Sequence, residues 1–441
     1  MAVITNAPRG TQDVLPAQSY KWKHIEEVAK KISALYGFKE IRFPTFEHTE
    51  LFQRSVGDTT DVVQKEMYTF NDKGDRSITL RPEGTAGVVR TVIEHGLLNE
   101  ALPLKVFYLI SCFRYEKPQA GRLREFHQFG AEMFGSASPD ADAQLIAMIH
   151  NIFDFLGIKN LSLEINSIGC PTCRKKYHEA LTAYFKAHIN ELCETCKSRL
   201  EKNPMRILDC KSPVCSALAK DAPKITDYLC EECQTHFDGV KKRLELSGIS
   251  YTVNPRIVRG LDYYTKTVFE FVSDNIGAQG TVCGGGRYDG LVAQMGGQPT
   301  PALGFAMGLE RLILLMDACG CEYKPEPTCD LYIASIGEAA SLKAFEMVSK
   351  LRTEGLYAEN DVIGRSVKAQ MKYADKIGAK FSLVLGDDEI LNNRAKLKNM
   401  ATGETVEISL DEDLSQRFLD AQIDDTMTSI MDLLEGGNIH G

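Results

Sequence analysis

Two β-rich runs, VFYLISCFRYE at 106–116 and REFHQFGAEMF at 124–134, flank a turn-prone segment containing Pro118 and Gly121. Together they predict a long-looped antiparallel hairpin. Strand side chains alternate between faces, so Val106, Tyr108, Ile110, Cys112, Arg114 and Glu116 share one side of the first strand. The same rule groups Phe126, Gln128, Gly130 and Glu132 on the second. If the register matches the two even faces, an arginine, two carboxylates, an amide and an aromatic ring meet on one floor. Such a floor suits a zwitterionic or phosphorylated ligand: arginine forks onto carboxylate or phosphate, a carboxylate holds an ammonium, and phenylalanine offers a stacking face. A solvated sheet face with incidental charges is the alternative reading of the same pattern.

Elsewhere the periodicity divides the chain. Trp22, Ile25, Val28, Ala29, Ile32 and Leu35 recur at helical spacing, and Gly37 stands where a left-handed cap would end the helix. Residues 38–47 read as a strand interrupted by Pro44, which belongs at an edge or a bend. From about Cys173 to Leu246 the pattern is helical and cysteine-dense, and it interrupts two strand-rich regions. Strand signals return at TKTVFEFVS, followed by CGGGRYDG and GFAMGLERLILLM. Cys319 to Cys329, with Pro325 and Pro327, reads as a linker. Beyond it LYIASI, a helical run to about Arg352, Leu356 to Glu359, a helix from about Ser366 to Ile377 and FSLVLG alternate as β-α-β-α-β, with a hairpin around Gly403 to finish. That order predicts a small α/β domain with a parallel or mixed sheet.

The 441 residues are 44% hydrophobic and 25% charged, enough to bury several cores and incompatible with wholesale disorder or a collagen-like chain. No run approaches the roughly 18 apolar residues of a membrane span, and MAVITNAPRG does not read as a signal peptide, so a cytoplasmic protein is expected. The net charge of 51 − 60 = −9 is unevenly spread. Residues 401–441 hold one Arg against ten acids, which accounts for all of it, whereas 341–400 hold eleven Lys and Arg against eight acids, or +3. A local basic surface is therefore compatible with an acidic chain. The acidic end reads as a solvated segment.

Thirteen cysteines, an odd number, fit thiols or metal ligands better than a disulfide framework. Eight of them form close pairs: Cys170/Cys173, Cys193/Cys196, Cys210/Cys215 and Cys230/Cys233. Each pair can supply half of a tetrahedral zinc site. A single helix over 174–192 would separate Cys173 from Cys193 by close to 30 Å at about 1.5 Å per residue. The expected combinations are therefore Cys193/Cys196 with Cys210/Cys215, and Cys170/Cys173 with Cys230/Cys233, as structural staples. Free thiols are the alternative. The nine histidines show no ligand spacing such as HExxH.

FRYE at 113–116, with Arg122 and then Phe126, resembles motif 2 of the class II aminoacyl-tRNA synthetases, and GLER at 308–311 resembles their motif 3. The early helix and the Pro44 strand resemble motif 1. RPEGT at 81–85, RGLDYYTKTVFE at 259–270 and GGGRYDGL at 284–291 are similar to the histidyl-tRNA synthetase family within that class, over about residues 5–425. Taken alone, GGG reads as a flexible turn and RGLDYYT as a loop entering a strand with a core tyrosine pair.

The resemblance implies an α+β fold, an antiparallel sheet flanked by helices, formed by 1–169 and 247–320. It implies a helical cysteine-rich insertion at 170–246, a linker at 321–329, an α/β anticodon-binding domain at 330–425 and an acidic tail at 426–441. The implied reaction joins histidine to ATP, with Mg²⁺ on the pyrophosphate side, and passes the histidyl group to tRNA(His); motif 1 implies a homodimer. Arg114 would hold the α-phosphate, Glu116 the adenine edge, Phe126 and Arg311 the adenine faces, and Arg122 the terminal phosphates. Glu83, Thr85, Gln128 and Glu132 would surround the histidine, with Tyr263 and Tyr264 beside the imidazole. Arg259, with Arg114, would neutralise the charge developing at phosphorus. Two rivals remain: a non-catalytic relative, the synthetase-like regulatory subunit of ATP phosphoribosyltransferase, and a zinc-stapled nucleic-acid-binding module. The first typically lacks the last domain and parts of these motifs; the second leaves RPEGT and GLER unexplained.

Overall fold

The computed structural model describes residues 5–56, 60, 62–276, 280–411, 413–420 and 422. The acidic segment 426–441 lies outside them. The chain divides into two units, Met1–Lys324 and Pro325–Gly441.

In the first unit the order is α1 (Pro16–Leu35), β1 (Lys39–Glu40), β2 (Phe46–His48), α2 (Thr49–Val56), β3 (Thr69–Asn71), β4 (Ser77–Leu80), α3 (Thr85–Glu94), β5 (Leu104–Phe113), β6 (Glu125–Phe134) and α4 (Pro139–Phe155). It continues with β7 (Ser162–Ser167), α5 (Pro171–Ala187), α6 (Glu194–Lys202), α7 (Pro213–Leu218), α8 (Glu231–Leu246), β8 (Thr252–Val253), β9 (Thr265–Val272), β10 (Thr281–Arg287), α9 (Leu291–Gln294), β11 (Ala302–Gly308) and α10 (Leu309–Cys319).

Eight strands form one sheet in the order β1-β5-β6-β11-β10-β9-β7-β8. The six inner strands are antiparallel, and β1 and β8 join the edges in parallel. In the hairpin Cys112 faces Phe126, Ile110 faces Gln128 and Val106 faces Glu132, so even positions meet even positions. Ile25, Ala29 and Ile32 of α1 pack with α4 and α10 on one side of this sheet. Leu35, which the periodicity assigns to the same stripe, is 70% exposed. Gly37 takes the left-handed conformation (φ +77°) that ends the helix.

Three local features depart from the sequence reading. Residues 38–47 do not make one strand: Pro44 separates β1, in the large sheet, from β2, in a small sheet ordered β2-β4-β3. GGG within CGGGRYDG is no flexible turn, because Gly284, Gly285 and Gly286 lie inside β10, paired on both sides. At the end of the cysteine-rich region, α8 sends Phe237, Val240 and Leu244 into the main core beside α4.

The second unit contains β12 (Leu331–Ser335), α11 (Glu338–Thr353), β13 (Ala358–Asn360), α12 (Val367–Lys376), β14 (Phe381–Leu385), α13 (Asp387–Asn392), β15 (Arg394–Asn399) and β16 (Thr405–Ser409). Its sheet runs β13-β12-β14-β15-β16, parallel through β14 and antiparallel beyond. Short α13 is the element that the sequence pattern does not reveal.

Candidate active site

A cavity of about 280 Å³ opens over the large sheet. Its wall includes Glu83, Thr85, Arg114, Glu116, Arg122, Phe126, Gln128, Arg259, Tyr263, Tyr264 and Arg311, eleven of the twelve residues singled out above. They come from the start of α3, the ends of the β5–β6 hairpin, the loop before β9 and the start of α10. The sheet brings together segments separated by more than two hundred residues.

Glu83 precedes α3, and its carboxylate accepts the backbone N–H groups of Thr85 at 2.7 Å and Ala86 at 2.8 Å. These are donors that a helix N-terminus leaves unmatched. Burial nevertheless raises its pKa above the ordinary carboxyl value, and the N–H bonds and Arg114 work against that rise.

Arg114 lies just past β5, donates from Nε to the carbonyl of Pro82 at 2.8 Å and sits 5.3 Å from the Phe126 ring centre. Glu116 faces Arg122 at 3.1 Å and Arg114 at 3.9 Å. Arg311, in the first turn of α10, donates to the carbonyl of Thr281 at 2.5 Å. Four guanidinium groups therefore border one cavity, a setting for a polyanion.

Arg259 pairs with Glu270 of β9, whose other oxygen accepts from the Thr281 hydroxyl at 2.8 Å. Burial alone would depress the pKa of this arginine, but Glu270 and the neighbouring tyrosines lift it above the usual value, so it is a permanent cation. Its guanidinium lies against Gly284, where a Cβ would come within 2.5 Å. Gly284 thus makes room for an arginine from another loop, while Gly285 and Gly286 abut backbone carbonyls, so the run is glycine-rich without being flexible. Tyr263 and Tyr264 stack beside it with ring centres 4.6 Å apart, and Tyr263 touches Tyr288 at 5.5 Å.

Glu132 is the candidate that does not reach the wall. It is fully buried, and its carboxyl receives three hydroxyls: Thr85 at 2.9 Å, Tyr108 at 3.1 Å and Tyr288 at 2.6 Å. Burial pushes its pKa up to about 8, and the hydroxyls of Tyr288 and Thr85 oppose the shift. Gly304, on the wall, covers the carboxyl with no side chain; a Cβ there would lie 1.6 Å from Oε2. Gln128 accepts from the Cys112 thiol at 3.3 Å.

Sequence reasoning missed Glu270 as the partner of Arg259. It missed the hydroxyls of Tyr108 and Tyr288 as donors to Glu132, and Arg81, which ties the carbonyls of Ser111, Phe43 and Pro44 beneath the site. Tyr108 was visible on the even face of its strand. The other three become neighbours only when the sheet order is known.

Residues 10–312 match the family described as histidyl-tRNA synthetase, and residues 330–416 match an anticodon binding domain. The chain is 58% identical over 409 residues to the histidine–tRNA ligase of Acetivibrio thermocellus, covering 93% of this chain and 98% of that one. It is 55% identical over 410 residues to the histidine–tRNA ligase of Caldanaerobacter subterraneus subsp. tengcongensis, with the same coverages of 93% and 98%. Among solved structures, apo Staphylococcus aureus histidyl-tRNA synthetase superposes with a TM-score of 0.81 at 44% identity, over 94% of this chain and 100% of that one. The motifs, the sheet that gathers them and these likenesses agree: the chain belongs to the histidyl-tRNA synthetase family of class II aminoacyl-tRNA synthetases.

Proposed function

We infer that the protein is a histidine–tRNA ligase, activating histidine with ATP to histidyl-adenylate and diphosphate and then transferring histidine to the terminal ribose of tRNA(His). The observation that carries this reading is the convergence of eleven motif residues on one arginine-bordered cavity. The regulatory-subunit rival is set aside by relatives named as ligases at over half identity across nearly the whole chain.

In this reading the histidine carboxylate attacks the α-phosphorus and diphosphate leaves, so the protein supplies fixed positive charge rather than a nucleophile. Arg114 and Arg259 provide it, Arg122 takes the terminal phosphates once released from Glu116, and Phe126 and Arg311 hold the adenine between them. Glu116 then serves the adenine edge. Glu83 and Gln128 receive the amino-acid end with Thr85, while Tyr263 and Tyr264 meet the imidazole. Glu132, behind the wall, holds the Thr85 hydroxyl in place from below. A pocket built to hydrogen-bond both ring nitrogens rejects ligands lacking them by about 10⁴ or more.

Of the wall carboxylates, Glu310 is a hard oxygen donor of the kind that would hold Mg²⁺ alongside phosphate. There the ion would neutralise phosphate charge.

We assign adenylation to the first unit and tRNA recognition to the second. Each unit has its own buried core, which supports the assignment. A homodimer in the cytoplasm completes the proposal; sedimentation at the mass of one chain would contradict the dimer. No helix among the described residues is long and apolar enough to cross a membrane.

Histidine-dependent exchange of labelled pyrophosphate into ATP tests the central reading. Exchange that no amino acid stimulates, from folded protein, would sink it.

A further inference from the structure

Away from the cavity, eight cysteines gather in two groups of four. The sulfurs of Cys170, Cys173, Cys230 and Cys233 all lie within 4.8 Å of one another, as do those of Cys193, Cys196, Cys210 and Cys215. Cys170 Sγ is 3.6 Å from Cys173 Sγ and 4.0 Å from Cys230 Sγ, and Cys193 Sγ is 3.8 Å from Cys210 Sγ. A disulfide requires about 2.05 Å, and all eight are free thiols. Four sulfurs at about 2.3 Å from a single tetrahedral Zn²⁺ stand about 3.8 Å apart, the spacing these groups already have.

The local backbone is arranged for thiolates. Cys170, Cys193 and Cys230 are the N-cap residues of α5, α6 and α8, so Cys173, Cys196 and Cys233 fall in the first helical turn. Cys215 occupies the first turn of α7. Helix N-termini favour negative charge. Backbone N–H groups also point at sulfur: Cys230 to Cys173 at 3.1 Å, Cys193 to Cys215 at 3.3 Å and Ser212 to Cys210 at 3.4 Å.

Both groups adjoin segments that grip the loop before β9. Arg174, next to Cys173, donates to the carbonyl of Tyr264 at 3.1 Å. Asn203 donates to Asp262 at 3.3 Å, and Arg206 donates to the carbonyls of Arg259 at 2.9 Å and Gly260 at 3.4 Å. These two residues lie between Cys196 and Cys210.

We propose that each group binds one Zn²⁺ as a tetrathiolate, and that the two staples hold the inserted region as a brace positioning the loop that carries Arg259, Tyr263 and Tyr264. Binding releases four thiol protons per ion and transfers no electrons, leaving a site of charge −2. The brace rests on the histidine-activating reading above; the metal sites do not.

Full-length protein, purified under reducing conditions without added metal or chelator, should contain about two zinc ions per chain by elemental analysis. Eight of the thirteen thiols should react with a thiol reagent only after a chelator is added. One equivalent or less, or thiols of both groups that react equally with and without the chelator, overturns the two-site assignment. The brace is tested by Arg206→Ala, which keeps every cysteine. It should retain two zinc ions, raise the KM for histidine about tenfold and lower kcat for adenylation, and leave the KM for ATP within about twofold, with Arg206→Lys recovering part of the loss. An unchanged KM for histidine overturns the brace. If Arg206→Ala does not fold, the same comparison is made on Arg206→Lys, which keeps one donor, with the same two readings. Absent pyrophosphate exchange in the unaltered protein would remove the functional reading while leaving the zinc count as it stands.

Discussion

The site's most informative residues are those whose charge state the fold sets. Arg259 is held as a cation by Glu270 and rests on a glycine surface that admits nothing larger. Removing one transition-state donor costs about 3 to 4 kcal/mol, so Arg259→Ala should lower kcat for adenylation by about 10² to 10³-fold with little change in the KM for ATP. Arg259→Lys keeps a charge opposite Glu270 and separates the chemical loss from any loss of stability; a defect confined to ATP affinity would give Arg259 another role. Glu132 makes the opposite case. Its carboxyl ordinarily ionises near 4.5 but is held to about 8, chiefly by burial. Between those values the folded chain keeps a proton that the unfolded chain has released, so this group's contribution is full below the lower value and stability falls as pH rises through the window. Glu132→Gln stays neutral throughout. Urea unfolding at about pH 5 and about pH 8.5 should therefore show a smaller loss in the variant than in the parent. Equal losses would mean that the carboxyl ionises normally beneath its three hydroxyls.

At the scale of elements, the hairpin and the alternating second unit were legible because their side-chain period and turn residues sit within about thirty residues of one another. The even-face register, Ile110 against Gln128 and Val106 against Glu132, is the condition that the local pattern left open and the structure meets. What stayed hidden depends on partners far along the chain. Three consecutive glycines read as a turn in isolation. They form a central strand here because Cβ atoms at Gly284, Gly285 and Gly286 would meet the Arg259 guanidinium and the carbonyls of Gly304 and Thr267. The same strand ends in Arg287, fully buried, which pairs with Asp142 of α4 and donates to the carbonyls of Ser136 at 2.7 Å and Ser138 at 3.3 Å. His236 of α8 stands 3.3 Å from the same aspartate. Arg287 therefore joins β10, α4 and α8, and no sequence pattern announces it. Arg287→Met leaves Asp142 buried beside His236 alone and should cost about 3 to 5 kcal/mol in urea unfolding, whereas adding Asp142→Leu should restore most of that. A single-variant cost below about 1 kcal/mol would show that water or a local shift solvates Asp142.

For the molecule as a whole, the net charge of −9 conceals a division of labour. An anionic chain that must hold tRNA needs its cations placed together, because screened charges act over about 8 to 10 Å at physiological salt. Arg394, Lys396 and Lys398 alternate on the exposed face of β15, while Ala395 and Leu397 between them fill the core of the second unit. The strand period thus puts three cations in a row without disturbing the packing beneath them. Arg394 also faces Glu407 of β16 at 3.6 Å, which fixes one end of the row. If this row lies on tRNA phosphates, changing all three to Glu should weaken charging while pyrophosphate exchange, which needs no tRNA, continues at the parental rate. Each contact with single-stranded phosphate contributes about 0.7 to the slope of log affinity against log salt, so loss of three should flatten that slope by about 2. Filter binding of tRNA across a salt series, run beside the exchange assay, reads both quantities on one preparation. A variant with reduced charging but an unchanged salt slope would place the phosphate contacts on another face of the domain, and equal loss of exchange and charging would contradict the assignment of the two activities to separate units.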